Sequence, residues 1–306
     1  MKRFATVCSG IGAPEVAAAP LGWRCVFSSD IEPFPNAVRA HHWPDVPNLG
    51  DMTKFKEWKD YAIDVLIGGT PCQAFSVAGL RKGLADPRGN LTLVFLGIID
   101  KYRPKWVLWE NVPGVLSVDE GKTFGAFLGG LGQLGYGFAY RVLDAQYFGV
   151  AQRRRRVFVV GHIGGQWQRA AAVLFERESL RGDSAPSRKA GKGFTTSTKD
   201  GLANSLGAHG GSGYRQDLDN ETYVSPTINS ADSGSNRTKT LMHGMAVRRL
   251  TPRECERLQG FPDDFTLINF RNKPAADGPR YKALGNSMAV PNIRWILQRM
   301  DMVDAL

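Results

Sequence analysis

The sequence has few cysteines, and their spacing excludes two common kinds of site. Four occur, Cys8, Cys25, Cys72 and Cys255, and none forms a Cys-x-x-Cys pair with another. A zinc knuckle and a disulfide-rich secreted fold are therefore excluded, and no metal is expected. We expect an intracellular protein with reduced thiols, so one cysteine could do chemistry.

Long apolar runs are also lacking. No run approaches the roughly 18 apolar residues of a membrane span, so no membrane association is expected. The N-terminal stretch MKRFATVCSG lacks the apolar segment of a secretory signal. Hydrophobic residues make up 42% of the 306 and charged residues 22%, as in a folded globular chain that buries its own core.

Acidic residues are outnumbered by basic ones. The chain has 29 Asp and Glu against 39 Lys and Arg, a net charge of +10. The excess is spread along the chain, and no basic tail carries it. This distribution favours a polyanionic partner, such as nucleic acid, held on a folded surface.

Short apolar runs separated by helical stretches predict a parallel α/β sheet with both faces covered. The predicted strands are residues 4–7, 25–27, 65–67, 107–109 and 157–160. In open sheets of this kind, ligands bind beyond the carboxyl ends of the strands. Near the C-terminus, 251–254 has the pattern of a capping box that begins a helix, and 292–300 predicts a last helix.

The loop after the first strand, Ser9-Gly10-Ile11-Gly12, has glycines that let a ligand approach the backbone at a helix N-terminus. Asp30 ends the next strand, where an acidic side chain can bind a ribose hydroxyl. Because the loop lacks the full Gly-x-Gly-x-x-Gly spacing, a nucleoside without a pyrophosphate is as plausible a ligand as NAD. A tight structural turn is the alternative.

Cys72 follows Gly68, Gly69 and Pro71 at the end of an apolar strand. The proline stiffens the backbone and directs the thiol, and a thiolate there would be a good nucleophile. The alternative is a buried, inert cysteine, which is what we expect of the other three. Residues 74–90 then form a long basic stretch, typical of a lid or of a tolerated insertion.

Glu110 directly follows an apolar strand that ends in Trp109. Partial desolvation there would favour the protonated carboxyl and suit it to donate a proton. A glutamate that faces solvent is the alternative.

The run Gln152-Arg153-Arg154-Arg155-Arg156 immediately precedes the strand at 157. If the run is extended, Gln152, Arg154 and Arg156 share one face and the other two arginines share the opposite face. One face could direct fixed cations into a site while the other meets phosphates. A solvated basic run is the alternative.

Together and in this order, these segments resemble the DNA (cytosine-5) methyltransferase family over residues 4–164 and 246–298. The matching segments are CSGIG at 8–12, GGTPCQAFS at 68–76, ENV at 110–112, QRRRR at 152–156, RRLTPRECERLQGFP at 248–262 and LGNSMAVP at 284–291. The resemblance implies a Rossmann-like catalytic and cofactor-binding domain over 1–164. It also implies a smaller, loop-rich target-recognition lobe over 165–245 and a C-terminal segment, 246–306, that returns to the catalytic domain.

The resemblance also implies roles in the reaction. Cys72 would attack carbon 6 of a flipped-out cytosine, and Glu110 would donate a proton to N3. Arg156 would hold the cytosine O2, and Arg154 would support the loop and the nucleophile. Carbon 5 would then take a methyl group from S-adenosylmethionine, and loss of the carbon 5 proton with elimination of Cys72 would release the product.

The implied cofactor, S-adenosylmethionine, would be held by residues from several segments. They are Ser9, Gly10, Ile11, Gly12, Asp30, Ile31, Asp51, Met52, Gly69, Pro71, Leu91, Asn286 and Ser287. The sequence departs from the family at three positions. A carboxylate is usual at Thr6, phenylalanine at Cys8 and tryptophan at Ile31, and these changes could loosen cofactor binding.

Double-stranded DNA is the implied partner, with the target base flipped out at a cost of a few kcal/mol. The expected DNA-binding residues are Ser76, Arg81, Lys82, Arg88, Gln152, Arg215, Arg237 and Lys239, with Asn204 and Asn236 as further candidates. An RNA (tRNA) cytosine-5 methyltransferase and a non-catalytic DNA-binding protein of the same fold are the alternatives. The sequence leaves open the recognition site, the oligomeric state and the setting, in which a cognate restriction endonuclease could act separately.

Overall fold

The computed structural model describes residues 1–71, 91–175, 240–243 and 246–306, and in 240–243 and 246–248 it describes the backbone only. The chain divides into two compact units. The first unit is Met1–Leu143, Arg155–Phe175 and Ser287–Leu306, and the second is Asp144–Arg154 and Glu176–Asn286. Most of the expected recognition lobe lies outside the described residues, so the boundaries at 165 and 245 stay a prediction.

Ten strands and eight α-helices lie within the described residues. The strands are β1 (Arg3–Val7), β2 (Arg24–Ser29), β3 (Val65–Gly68), β4 (Trp106–Asn111), β5 (Tyr136–Asp144), β6 (Arg155–Ile163), β7 (Thr240–His243), β8 (Ala246–Arg249), β9 (Asn269–Phe270) and β10 (Lys273–Pro274). The helices are α1 (Ala13–Ala18), α2 (Pro33–His42), α3 (Leu91–Tyr102), α4 (Lys122–Gln133), α5 (Trp167–Leu174), α6 (Pro252–Gln259), α7 (Asp277–Asn286) and α8 (Val290–Asp304).

The first unit contains a six-stranded sheet in the order β2-β1-β3-β4-β6-β5. The four strands β1 to β4 are parallel to one another. β6 runs antiparallel to β4, with Trp109 opposite Val159. All five predicted strands are confirmed, but the fifth departs from the expected parallel direction, because an apolar run carries no signal of strand direction. β5 was not predicted.

The core lies on both faces of this sheet. The side chains of Val65, Leu66 and Ile67 in β3 are fully buried, as expected of a strand covered on two sides. From one face α4 contributes Phe127, whose ring lies 4.4 Å from that of Trp109 in β4. The result is the Rossmann-like α/β architecture that the sequence predicts.

The C-terminal helix α8 is held in the first unit by partly buried polar contacts. Asp304 forms ion pairs with Lys105 at 2.7 Å and with Lys2 at 2.8 Å, and it accepts a hydrogen bond from the Trp106 indole at 3.1 Å. Asp301 accepts from the indole of Trp23 at 3.0 Å. These contacts tie α8 to the residues at which β1, β2 and β4 begin.

The second unit contains the antiparallel pair β7 and β8, the hairpin β9–β10 and the helices α6 and α7. α6 begins with the predicted capping box, in which Thr251 and Glu254 satisfy each other's backbone N–H groups. It ends at Gly260, whose φ of 81° is the left-handed conformation that glycine adopts without strain. Within the described parts of the chain, no helix is long and apolar enough to span a membrane.

Candidate active site

The loops after β1 and β2 are joined by the Ser9 side chain. Its hydroxyl accepts a hydrogen bond from Thr6 Oγ1 at 2.7 Å and donates to the Ser29 carbonyl at 3.2 Å. The backbone N–H of Ser29 donates back to the same hydroxyl at 3.1 Å. The carboxyl ends of these two neighbouring strands are therefore locked together, in the region where such a sheet binds ligands.

Asp30 lies at the end of β2 with a fixed carboxylate. One oxygen accepts from the Gly10 backbone N–H at 2.8 Å, and the other accepts from the Glu32 N–H at 2.9 Å. Beside it, the Ile31 side chain is 70% exposed, which is unusual for an isoleucine. A rigid carboxylate next to an open apolar surface suits the ribose and the base of a nucleoside.

In the glycine loop after β1, the backbone of one glycine packs closely against an aromatic ring. Gly12 has a φ of 90°, and a Cβ atom there would lie 2.4 Å from the Trp43 ring. Gly10 also has a positive φ, 53°, but faces open space. Gly12 thus cannot be replaced by a residue with a side chain, while Gly10 leaves room for a ligand beside the backbone.

Two of the described cysteines, Cys8 and Cys25, are poor nucleophiles. Burial, with a smaller contribution from Asp30, raises the pKa of the Cys8 thiol to about 12. Burial and the neighbouring Glu15 raise the pKa of Cys25 well above its usual value. Cys255 is buried as well. Since thiolate is the reactive form, Cys8 and Cys25 fit the inert role expected of them; Cys72 lies outside the described residues.

A buried carboxylate beside β1 was missed by the sequence analysis. Glu15 in α1 pairs with Arg39 at 2.8 Å, and both side chains are at most 4% exposed. Its Oε1 also accepts from Thr6 Oγ1 at 3.3 Å. A carboxylate therefore lies next to Thr6, the position at which the resemblance suggests one, but it comes from the following helix. Nothing in the spacing of Thr6 and Glu15 marked this contact beforehand.

Thr70, at the exit of β3, is held by the two residues that flank Glu110. The Trp109 indole donates to Thr70 Oγ1 at 2.9 Å, and the Asn111 amide donates to the Thr70 carbonyl at 2.9 Å. Thr70 is only 2% exposed. The backbone that leads to Pro71 is therefore fixed to β4, a link between distant residues that the sequence analysis did not find.

Glu110 and Arg156 form a largely buried pair at the adjacent ends of β4 and β6. Arg156 Nε lies 3.2 Å from Glu110 Oε1, and the side chains are 13% and 11% exposed. Burial lowers the pKa of Arg156, and the Glu110 charge offsets part of that effect. A Cβ atom on Gly69 would lie 3.5 Å from Glu110 Oε2, so the glycine backbone passes close to the carboxylate.

The predicted alternation along the arginine run is confirmed. Gln152 and Arg154 are buried, whereas Arg153 and Arg155 are exposed. In the second unit, the Arg154 backbone N–H donates to Asp144 at 2.9 Å, and its guanidinium donates to the Gly285 carbonyl at 3.4 Å. Because Gln152 is 0% exposed, direct contact of its side chain with DNA would require this segment to move, and its role stays a prediction.

The remaining expected cofactor residues lie near strand ends or element boundaries. Asp51 accepts a hydrogen bond from the Thr53 N–H at 2.9 Å and so caps the start of the short 3-10 helix Met52–Glu57. In this helix, the Met52 sulfur lies 3.5 Å from Cys8 Sγ. Leu91 begins α3 and Pro71 is exposed. In the second unit Asn286 ends α7 with an exposed side chain, and the next residue, Ser287, is buried.

Several expected residues lie outside the described residues. They are Cys72, Ser76, Arg81, Lys82, Arg88, Asn204, Arg215, Asn236, Arg237 and Lys239. Among the residues that are described, no group of three His, Cys, Asp or Glu side chains could hold a metal ion.

Comparison with known proteins gives a consistent family. The model of the C-5 cytosine-specific DNA methylase family matches residues 2–301. The type II methyltransferase M.DsaV of Dactylococcopsis salina is 31% identical over 97% of this chain and 85% of its own length. The Dnmt2 methyltransferase of S. pombe superposes over the whole of both chains with a TM-score of 0.67 at 18% identity, a likeness that shows the fold.

One relative carries a different name. A DNA N-6-adenine-methyltransferase of Escherichia phage P1 is 35% identical over 97% of this chain. The chain spans 61% of that relative's length, so over a third of the phage protein has no counterpart here.

Proposed function

We propose a specific reaction for this chain, which belongs to the family of C-5 cytosine-specific DNA methylases and is a DNA (cytosine-5) methyltransferase. The proposed reaction is methyl transfer from S-adenosylmethionine to carbon 5 of a flipped-out cytosine in a specific duplex DNA sequence. It proceeds through a covalent bond between Cys72 and carbon 6. The observation that carries the proposal is the buried pair of Glu110 and Arg156 at the end of β4.

Cytosine carbon 5 is a weak nucleophile, and the proposed residues activate it. The Cys72 thiolate adds to carbon 6, while Glu110 donates a proton to N3, where negative charge would otherwise develop. Arg156 binds the cytosine O2 as a fixed cation, which stabilises the same charge shift. The enamine formed in this way makes carbon 5 nucleophilic. Arg154 supports the loop that carries Cys72.

Carbon 5 of the activated ring would then take the methyl group that S-adenosylmethionine supplies when bound; the bond between the methyl group and sulfur breaks, and the neutral thioether S-adenosylhomocysteine is left. Loss of the carbon 5 proton to a base allows the bond between carbon 6 and Cys72 to break. The thiolate leaves, N3 returns its proton to Glu110, and 5-methylcytosine is released.

The residues at the carboxyl ends of β1 and β2 fit the cofactor. The fixed carboxylate of Asp30 suits two ribose hydroxyls, and the exposed Ile31 offers an apolar surface to adenine. Open space beside Gly10 leaves room for the methionine part. The remaining proposed contacts are Ser9, Ile11, Gly12, Asp51, Met52, Gly69, Pro71, Leu91, Asn286 and Ser287.

Duplex DNA is the proposed substrate. The net charge of +10 provides sequence-independent attraction to phosphates. Base-specific contacts in the grooves are proposed for the lobe over 165–245, including Arg215, Arg237 and Lys239. Phosphate contacts are proposed for the stretch that includes Arg81 and Lys82.

Adenine N6 methylation is a second candidate, favoured only by the name of the phage P1 relative. An exocyclic amine needs no thiolate addition to a ring, so that reaction leaves the Pro-Cys-Gln segment without a role. A tRNA substrate is a third candidate, since it would use the same chemistry. Measuring the transfer of labelled methyl groups to duplex DNA and to tRNA separates this case.

Bisulfite sequencing of DNA from cells that express the protein tests the reaction and reads the target sequence at once. Protected cytosines in one sequence context are expected. Cys72→Ser should lower methyl transfer by several orders of magnitude, so that protection is lost while DNA binding persists. Cys25→Ala serves as the control thiol variant. Target oligonucleotides with 5-fluorocytosine should become covalently trapped on the wild type only. Near-normal protection by Cys72→Ser, or methylation confined to adenine, would refute the proposal.

A further inference from the structure

Two carbonyl groups in the last turn of α7 are capped by buried side chains. The last four carbonyls of an α-helix have no partner within the helix. In α7 the Leu284 carbonyl accepts a hydrogen bond from Gln259 Nε2 at 2.8 Å, and the Gly285 carbonyl accepts from the Arg154 guanidinium at 3.4 Å. The capped residues immediately precede Asn286 and Ser287.

The amide of Gln259 is buried at an energetic cost. Its side chain is 0% exposed, and its Oε1 has no hydrogen-bond partner among the residues that the structure describes. A buried acceptor without a partner destabilises a fold, whereas an apolar side chain of the same size would not. The hydrogen bond that Gln259 Nε2 donates to the Leu284 carbonyl is the contact that offsets this cost.

Helix α6 holds α7 at two separate places. Glu256, three residues before Gln259 and hence on the same helix face, pairs with Arg280 at 3.1 Å and accepts from the Thr266 N–H at 2.9 Å. The Glu256 pair secures the first half of α7, while Gln259 caps its end. The first contact fixes the position of the helix, and the second fixes where the chain leaves it.

We propose that Gln259 is a positioning residue for cofactor binding, acting through Asn286 and Ser287. By holding the Leu284 carbonyl, it sets the direction in which the chain leaves α7 and so presents the Asn286 side chain, which is exposed, to the methyl donor. The inference rests on the proposed function, because it takes S-adenosylmethionine as the ligand of Asn286 and Ser287. Gln259 itself does not touch the cofactor.

The test is the dissociation constant of S-adenosylmethionine, measured by titration calorimetry on the full chain. Gln259→Met keeps the side-chain volume and removes the donor. It should weaken binding about 5- to 20-fold, the effect of losing one hydrogen bond, with kcat at saturating cofactor near that of the wild type. Gln259→Glu, which places a carboxylate oxygen against the Leu284 carbonyl, should weaken binding further and is informative if the first variant does not fold.

Glu256→Gln is the matched control, because it loosens α6 from α7 without removing the cap. It should lower the unfolding temperature and leave cofactor affinity within about twofold of the wild type. Hydrogen exchange of the backbone amides over 286–290 should accelerate in Gln259→Met only. Unchanged affinity in Gln259→Met, or equal loss in both variants, would overturn the inference. A wild type that binds no S-adenosylmethionine would instead overturn the proposed cofactor, and the inference with it.

Discussion

Replacing Glu110 by glutamine separates its proposed chemistry from its structural role. Glutamine has the same shape, and its carbonyl oxygen can lie against Arg156 Nε where Glu110 Oε1 now lies, but it cannot donate the proton that N3 of cytosine needs. Loss of a positioned acid typically costs about 100- to 10,000-fold in rate, so kcat for methyl transfer should fall by that factor. Cofactor affinity should stay within about threefold, because Asp30 and its neighbours are untouched.

The effect on stability follows from the burial of the pair. The side chains of Glu110 and Arg156 are 11% and 13% exposed and 3.2 Å apart, so solvent screens them only in part. At an effective dielectric constant of 20 their attraction is about 5 kcal/mol, most of it offset by desolvation. Since glutamine is neutral and leaves the Arg156 cation beside a dipole instead of a charge, we expect Glu110→Gln to lower the free energy of unfolding by about 1–3 kcal/mol.

The assay combines single-turnover transfer of a labelled methyl group, titration calorimetry with S-adenosylmethionine and urea unfolding. Glu120→Gln makes the same chemical change at a carboxylate whose side chain is 83% exposed, and it should alter none of the three. A kcat for Glu110→Gln within threefold of the wild type would refute the proton-donor role. A collapse of cofactor affinity would show that Glu110 serves the cofactor or the fold instead.

Two further predictions concern the fold. Burial alone would raise the pKa of Asp304, but hydrogen bonds hold that pKa below its usual 3.8, and the hydrogen bond from Lys105 contributes most. The carboxylate therefore stabilises the fold fully above about pH 4. This stabilisation is lost as the pH falls through the lowered pKa. Asp304→Asn should therefore lower the free energy of unfolding at pH 7 by about 1–3 kcal/mol. In urea unfolding, the stability of this variant should also fall less steeply at acid pH than that of the wild type. An unchanged pH dependence would contradict this account. Gly68→Ala would place a Cβ atom 2.6 Å from the Phe95 ring and should lower the free energy of unfolding by about 1–3 kcal/mol. Gly125→Ala is the control, because a Cβ atom there lies in open space and should not destabilise the fold. Equal changes in the unfolding temperature of the two variants would disprove the packing argument.

The strands could be predicted because their signal is local. Residues 65–67 form an apolar run that ends in glycine, and a strand buried on both faces has that pattern. The capping box at Thr251 and the alternation along 152–156 are also properties of a few consecutive residues. Each was recovered because short-range sterics and hydrogen bonding decide it.

The contacts that connect distant segments could not be predicted in this way. Thr70 and Trp109 are 39 positions apart, and Glu15 and Arg39 are 24 apart, so no spacing rule links either pair. The direction of a strand could not be predicted either, because the apolar run of β6 has the same pattern whichever way it pairs with β4. These features depend on which surfaces meet when the sheet assembles.

The order of the polar segments along the chain was enough to indicate the family, since several of them follow a strand and each carries its own chemistry. The tertiary structure decided which of those side chains are buried and what they contact. Arg156 lies beside Glu110, Gln152 is enclosed, and Gln259 caps a helix that the sequence places 18 positions away. The physical reason is that hydrophobic patterning specifies which face of an element is buried, whereas the partner of a buried polar group is set only when whole elements pack together.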